Sequence, residues 1–254
     1  MQLGTLDLHF LELLALASVR IVAFLVVAPP FSHAAIPLRV KAMLSLGLAL
    51  AVSARFDAHD IQLDTGAFIA ALLFELAHGL LLGVLVMIVY SAIQSAGSLV
   101  DLFGGFQLSQ AYDPQSQVNG AQFTRLFQFT AIVLLFSTDG YQLVLGGLAR
   151  SFTAMPVGTL FGMTDSGTAL LNSVGQSFLA ALQIAGPLVL VLVLADVGLG
   201  LVSRVSPALN AFALGYPLKI LITVAFAGTI FLALPGIVSA LTDDALQLVL
   251  GVHS

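Results

Sequence analysis

An all-α fold of polytopic, membrane-associated helical hairpins, with about six long apolar helices, is what this sequence predicts, and three observations predict it. Hydrophobic residues make up 59% of the 254 residues and charged residues only 8%, against roughly 25% charged in ordinary soluble domains. Eight Lys plus Arg and thirteen Asp plus Glu cannot wet an exterior of that size, so apolar surface must face lipid or other subunits. The second observation is patterning: mean hydropathy is +1.07, and the apolar residues come in blocks, as in the run LVLVLVL at 188–194. A membrane barrel needs ~10-residue segments of alternating polarity, and block apolarity rejects it. The third is what is missing. There is no cysteine, which removes a disulfide-stapled scaffold. A net charge of −5 spread this thinly lacks the clustered Lys and Arg that nucleic acid demands.

A helix that crosses ~30 Å of hydrocarbon needs about 20 mostly apolar residues, and every backbone amide inside it needs an internal partner. The first block runs from about 8 to 28 and ends at Pro29-Pro30. Its only cation, Arg20, lies inside it with nothing basic before it, so it reads as its own insertion signal. The second, 40 to 54, is short for a span. The third, 68 to 100, can supply a span plus an amphipathic extension and carries no charge from 79 to 100. The fourth covers 123 to 136 and continues past Asp139-Gly140 as 141 to 148. The fifth, 170 to 201, contains Pro187, where a kink is expected. The sixth runs from 218 to 234 and is expected to break at Pro235-Gly236, leaving 237 to 250 as an amphipathic surface stretch. An outside N-terminus puts Arg39, Lys41, Arg125, Arg204 and Lys219 in inner loops and Arg55 and Arg150 in outer ones; five against two obeys the positive-inside tendency.

A charge at membrane depth costs roughly 2.5–3.5 kcal/mol on insertion scales, so such groups pair, line water or do work. Glu75 and His78 share a helix face with Gly79 and Gly83. Glu-x-x-His is half of a di-metal bundle site, but no second copy exists, so a polar stripe beside a Gly79-x-x-x-Gly83 packing face is the better reading and no metal is expected. Asp196, Gly200 and Arg204 lie on one helix face. Asp196 and Arg204 are about 12 Å apart along the axis, so each needs a partner on another helix or chain, as Lys219 does. Arg204 and Lys219 also fit snorkelling at span ends. The segment 101–125, DLFGGFQLSQAYDPQSQVNGAQFTR, is neither a solvated tail nor a spanning helix. It has Gly104-Gly105, an Asp113-Pro114 turn signal, and scattered aromatics at 103, 106, 112 and 123. Loops beyond about 12–15 residues in a compact protein tend to be functional or disordered, and on pattern alone a solvent-exposed linker and a functional loop both stay open. Catalytic constellations are absent from the sequence: no His-Glu-x-x-His, no Walker lysine, no G-x-S-x-G elbow. No enzyme activity, catalytic residue or cofactor is therefore expected.

Several motifs resemble one family. They are ADVGLGLVSRVSP at 195–207 with Asn210 and GYPLK at 215–219; Arg20 with Pro29-Pro30-Phe31 and IPLRVK at 36–41; Glu75, Gly79 and Gly83 with Ala96-Gly97, Asp101 and Asp113-Pro114; and Ser151-Phe152 with Pro156. In order and spacing these resemble the FliR family of flagellar biosynthesis proteins and its virulence counterparts, the R/T subunits of the type III secretion export gate. Two positions depart: Ala208 stands where the family commonly has Gln, and Asp139-Gly140-Tyr141 where Asn-Gly-His is common.

The resemblance implies a gate subunit of a pore-containing complex in the bacterial inner membrane, within the flagellar basal body. One copy would assemble with several P-type and Q-type subunits, alongside the A and B export components, and pass unfolded proteins. Residues 1–160 would be P-subunit-like and include a plug loop at 104–122. Residues 161–254 would form a Q-like hairpin with the C-terminal amphipathic segment. The loop's Gly104, Gly105, Phe106, Gln107, Leu108, Tyr112, Asp113 and Pro114 would gate the pore. Glu75, Gly79, Gly83, Asp196, Gly200, Arg204 and Lys219 would pack subunits or bury polar groups instead of meeting lipid. An injectisome subunit is the nearby alternative. A proton-coupled secondary transporter using Glu75, Asp101 or Asp196 is the alternative from another class; it would be favoured by inverted repeats, of which the sequence has no visible sign.

Overall fold

A computed structural model describes residues 8–53, 64–107, 122–158, 163–206 and 211–251. Those residues form seven α-helices and no strand: α1 (Leu8–Val27), α2 (Leu38–Ser53), α3 (Thr65–Gly104), α4 (Gln122–Ser137), α5 (Gly140–Ala154), α6 (Met163–Val205) and α7 (Ala211–Gly251). The six apolar blocks map onto these, with the fourth block supplying both α4 and α5. Four helices are long and apolar enough to cross a membrane, α1, α3, α6 and α7, and a fifth span results if α4 and α5 count as one broken crossing. With 16 residues, α2 reaches only about 24 Å.

Local chemistry sets the helix limits. Pro29-Pro30, joined by a cis bond, closes α1, because proline cannot supply the amide that another turn needs. Asp64 starts α3: its Oδ1 accepts the Ala67 N–H at 2.7 Å and its carbonyl the Phe68 N–H at 2.9 Å, which satisfies amides that have no intrahelical acceptor. Asp139 separates α4 from α5 with a left-handed φ of 56°.

One expectation needs correction. The chain does not break at Pro235-Gly236: α7 runs unbroken through both Pro217 and Pro235 and takes in the stretch read as a separate surface segment. A proline removes one ladder bond, whereas ending the helix in an apolar setting would strand several backbone groups at once. Pro187 likewise lies inside the continuous α6.

The chain divides into two compact units that do not follow chain order. The first comprises Met1–Val89, Asp139–Ser173 and Thr242–Ser254, the second Tyr90–Thr138 and Val174–Leu241. The first unit buries Leu16, Ile21 and Phe24 of α1, Leu82 and Leu85 of α3, and Leu148 and Phe152 of α5. Within it α1 packs on α2, whose inward face is polar or small (Lys41, Ser45, Ala49, Ser53) and whose outward face carries Leu38, Met43, Leu46 and Leu50. The second unit is centred on Ile93 and Val100 of α3, Phe127 and Leu135 of α4, Leu192 of α6 and Leu234 of α7. Only 22% of the best spanning window of α6 and 11% of that of α7 is buried within the chain. Their large outward apolar side chains are leucine, valine, isoleucine and phenylalanine, a surface suited to lipid or other protein.

Candidate functional site

Three groups of residues bring polar chemistry or close backbone approach into this apolar fold. The first is in the second unit, at the two ends of the long connection between α3 and α4. α3 ends in a glycine-dependent turn: Gly105 has a φ of +81°, and the Phe106 N–H donates to the Asp101 carbonyl at 3.0 Å. This is the 6→1 bond of a Schellman cap, with a glycine in the left-handed position that a Cβ would strain. A Cβ on Gly105 would lie 3.1 Å from the Tyr216 ring, and one on Gly104 2.8 Å from the Thr223 hydroxyl. The outgoing end of the connection is thus seated against α7.

The returning end is held by a side chain from the outgoing helix. Asp101, fully buried, accepts the Phe123 N–H on Oδ1 at 2.9 Å and the Thr124 N–H on Oδ2 at 2.8 Å. The Thr124 hydroxyl also donates to Oδ2, at 2.7 Å. Two orphan amides at the start of α4 are satisfied by one carboxylate, placed where the helix dipole favours a negative charge. The Phe106 and Phe123 rings meet edge-on at 5.1 Å, and Phe123, Phe127 and Phe231 continue the stack. A Cβ on Gly97 would come within 2.7 Å of the Thr124 Cα, so α3 and α4 touch backbone to backbone there.

The second group is the core of the first unit. Arg20, without solvent exposure, binds Glu75 through two parallel bonds, Nε to Oε2 at 2.5 Å and Nη2 to Oε1 at 2.9 Å. Nη1 donates to two carbonyls at the C-terminal end of α5, that of Ser151 at 3.3 Å, which also accepts the Met155 N–H at 2.7 Å, and that of Met155 at 2.9 Å. Glu75 Oε1 accepts the Gly158 N–H at 2.9 Å, and the guanidinium lies 4.3 Å from the centre of the Phe152 ring. α1 and α3 can approach this closely because of the glycines of α3. A Cβ on Gly79 would overlap the Arg20 carbonyl oxygen, and one on Gly83 would lie 3.0 Å from the Val27 Cβ.

The third group joins α6 to α7 within the second unit: Lys219 Nζ lies 2.7 Å from Asp196 Oδ1, with side chains 18% and 45% exposed. Asp196 and Lys219, each in need of a partner on sequence grounds, thus meet one another. Gly200 faces open space and Arg204 is exposed, so this chain does not gather them at that pair. Leu108, Tyr112, Asp113 and Pro114 lie outside the described residues.

Two roles escaped the sequence reading. Arg20 was visible as a lone cation in an apolar helix, and a search for a lone acid in another helix would have suggested Glu75. The capping role of Asp101 and the contacts of Tyr216 and Thr223 have no local signal. Among the described residues no cluster of His, Cys, Asp and Glu is suited to a metal ion.

A family model described as "Bacterial export proteins, family 1" matches residues 11–245. The chain is 32% identical to flagellar biosynthetic protein FliR of Bacillus subtilis (strain 168) over 215 residues, 82% of each chain. It is 27% identical to the protein of the same name from Escherichia coli (strain K12) over 218 residues, 86% of this chain and 82% of the other. It is 31% identical to Yop proteins translocation protein T of Yersinia pestis over 166 residues, 64% of each chain.

Proposed function

The chain belongs to the bacterial export proteins, family 1, the family of flagellar biosynthetic protein FliR, and from that premise we propose that it is a structural and gating subunit of a flagellar type III protein export apparatus. The observation that carries this is the extent of the match, which runs from residue 11 to residue 245 of 254. The flagellar relatives are matched over 82–86% of this chain and the virulence relative over 64%, which favours the flagellar system.

In this reading the apparatus lies in the bacterial inner membrane, in the flagellar basal body. One copy of the chain assembles with P-type and Q-type subunits, beside the A and B components, to build a pore for unfolded proteins. Residues 1–160 serve as the P-like part and 161–254 as the Q-like hairpin. Uncovered α6 and α7 meet neighbouring subunits and lipid. The connection at 104–122 is the plug, and its action is steric: it fills the pore at rest and yields when substrate arrives. Nothing in that action calls for bond-making chemistry. A transporter reading fits less well, because each carboxylate it would use is already held: Glu75 by Arg20 and Gly158, Asp101 by the start of α4, Asp196 by Lys219.

Deletion of residues 107 to 117 tests the plug. The expected result is an assembled complex whose membrane leaks small solutes. A tight membrane with normal export removes the assignment.

A further inference from the structure

We propose that Asp101 is the positioning residue that holds the plug connection at rest, by tying the first residues of α4 to the last turn of α3. The inference rests on the plug reading above. A connection that leaves one helix and enters the next is only as well placed as its two ends. Here both ends are joined at one residue. The Asp101 backbone carbonyl accepts the Phe106 N–H that closes the outgoing turn, and its carboxylate accepts the Phe123 and Thr124 amides and the Thr124 hydroxyl that begin α4.

The arrangement can be undone in parts. The outgoing turn has its own supports, the left-handed Gly105 and the seat against Tyr216 and Thr223. The returning end depends on the carboxylate, on the Phe123 ring contacts with Phe106 and Phe127, and on the close approach of Gly97 to Thr124. Loss of the carboxylate therefore loosens the returning end alone, while the outgoing end keeps its anchor on α7. A charged acceptor against buried helix-start amides is a strong hydrogen-bonding case, and losing an N-cap shifts the local equilibrium by about fivefold, within a range of about twofold to thirtyfold.

The test measures resting leak of a small solute, and export, across membranes that hold the assembled complex. Asp101→Ala is expected to assemble and raise the leak about fivefold. Asp101→Asn keeps one acceptor oxygen but turns an NH2 toward the other helix-start donors, and is expected to leak to an extent between the unaltered chain and Asp101→Ala. Thr124→Val, which loses one of the three carboxylate bonds, is expected to leak slightly. If Asp101→Ala is as tight as the unaltered chain while the 107–117 deletion leaks, the positioning role is overturned and the plug reading stands. If the deletion is tight too, the plug reading falls and this inference with it. Should Asp101→Ala fail to assemble, Asp101→Asn and Thr124→Val decide: graded leaks support the proposal, and two tight membranes overturn it.

Discussion

A guanidinium removed from water must be answered by protein on every side, and Arg20 is answered by Glu75, by two helix-end carbonyls and by the Phe152 face. Desolvating such a pair costs several kcal/mol per ion, which the mutual attraction offsets only with good geometry and further hydrogen bonds. Both are present here. Breaking the pair on one side is then far more damaging than removing both charges. Glu75→Ala is expected to destabilise the chain by about 3–5 kcal/mol, because it leaves a buried cation uncompensated. Arg20→Met with Glu75→Leu should recover part of that loss, limited by the Met155 carbonyl and the Gly158 N–H, which lose these partners. Thermal melting of the detergent-solubilised assembly measures it. A double variant as unstable as the two single losses added together would mean the charges are not coupled.

At the scale of elements, close helix contact depends on a few positions where no side chain fits. Gly79 and Gly97 each face backbone atoms of a neighbouring helix, Arg20 on α1 and Phe123 and Thr124 on α4. Backbone cannot rotate aside, so the helices must separate. Gly79→Ala and Gly97→Ala are each expected to cost roughly 1–3 kcal/mol, the usual range for overpacking. Gly146→Ala and Gly228→Ala, where an added Cβ meets nothing within 4 Å, should be neutral or gain up to about 1 kcal/mol of helix propensity. Protease resistance of the membrane-inserted chain separates the two pairs; equal losses at all four would refute the close-approach explanation. The same contrast explains what the sequence could reveal. Block apolarity delimits helices, so all six blocks were readable. Gly79 and Gly83 were readable as a packing face because their spacing is local. Which helix meets that face, and that Asp101 reaches residues 22 and 23 positions later, depends on three-dimensional juxtaposition that no spacing encodes. At Pro235 the local cost of one lost ladder bond is smaller than the cost of exposing helix ends in an apolar environment, so a proline there does not mark a helix end.

For the whole molecule, the decisive quantity is length against membrane thickness. Val174 and Val205 of α6, both in the second unit, are 52% and 86% exposed. They are 31 residues apart in a continuous helix, about 46 Å at 1.5 Å per residue. The hydrocarbon layer is about 30 Å thick, and a tilt of ~40°, the upper end of the usual range, still leaves about 36 Å to cover. Lipid therefore cannot shield both positions at once, and protein must cover what it leaves bare. The chain has no cysteine, so Val174→Cys and Val205→Cys are each the sole target for a water-soluble maleimide. In membranes that hold this chain alone, at least one of the two is expected to react. When the export partners are co-expressed, both should become protected and the chain should appear once per complex by native mass measurement. Protection of both sites in the solitary chain would mean that the long helices need no subunit around them, and the gate-subunit reading would lose its physical basis.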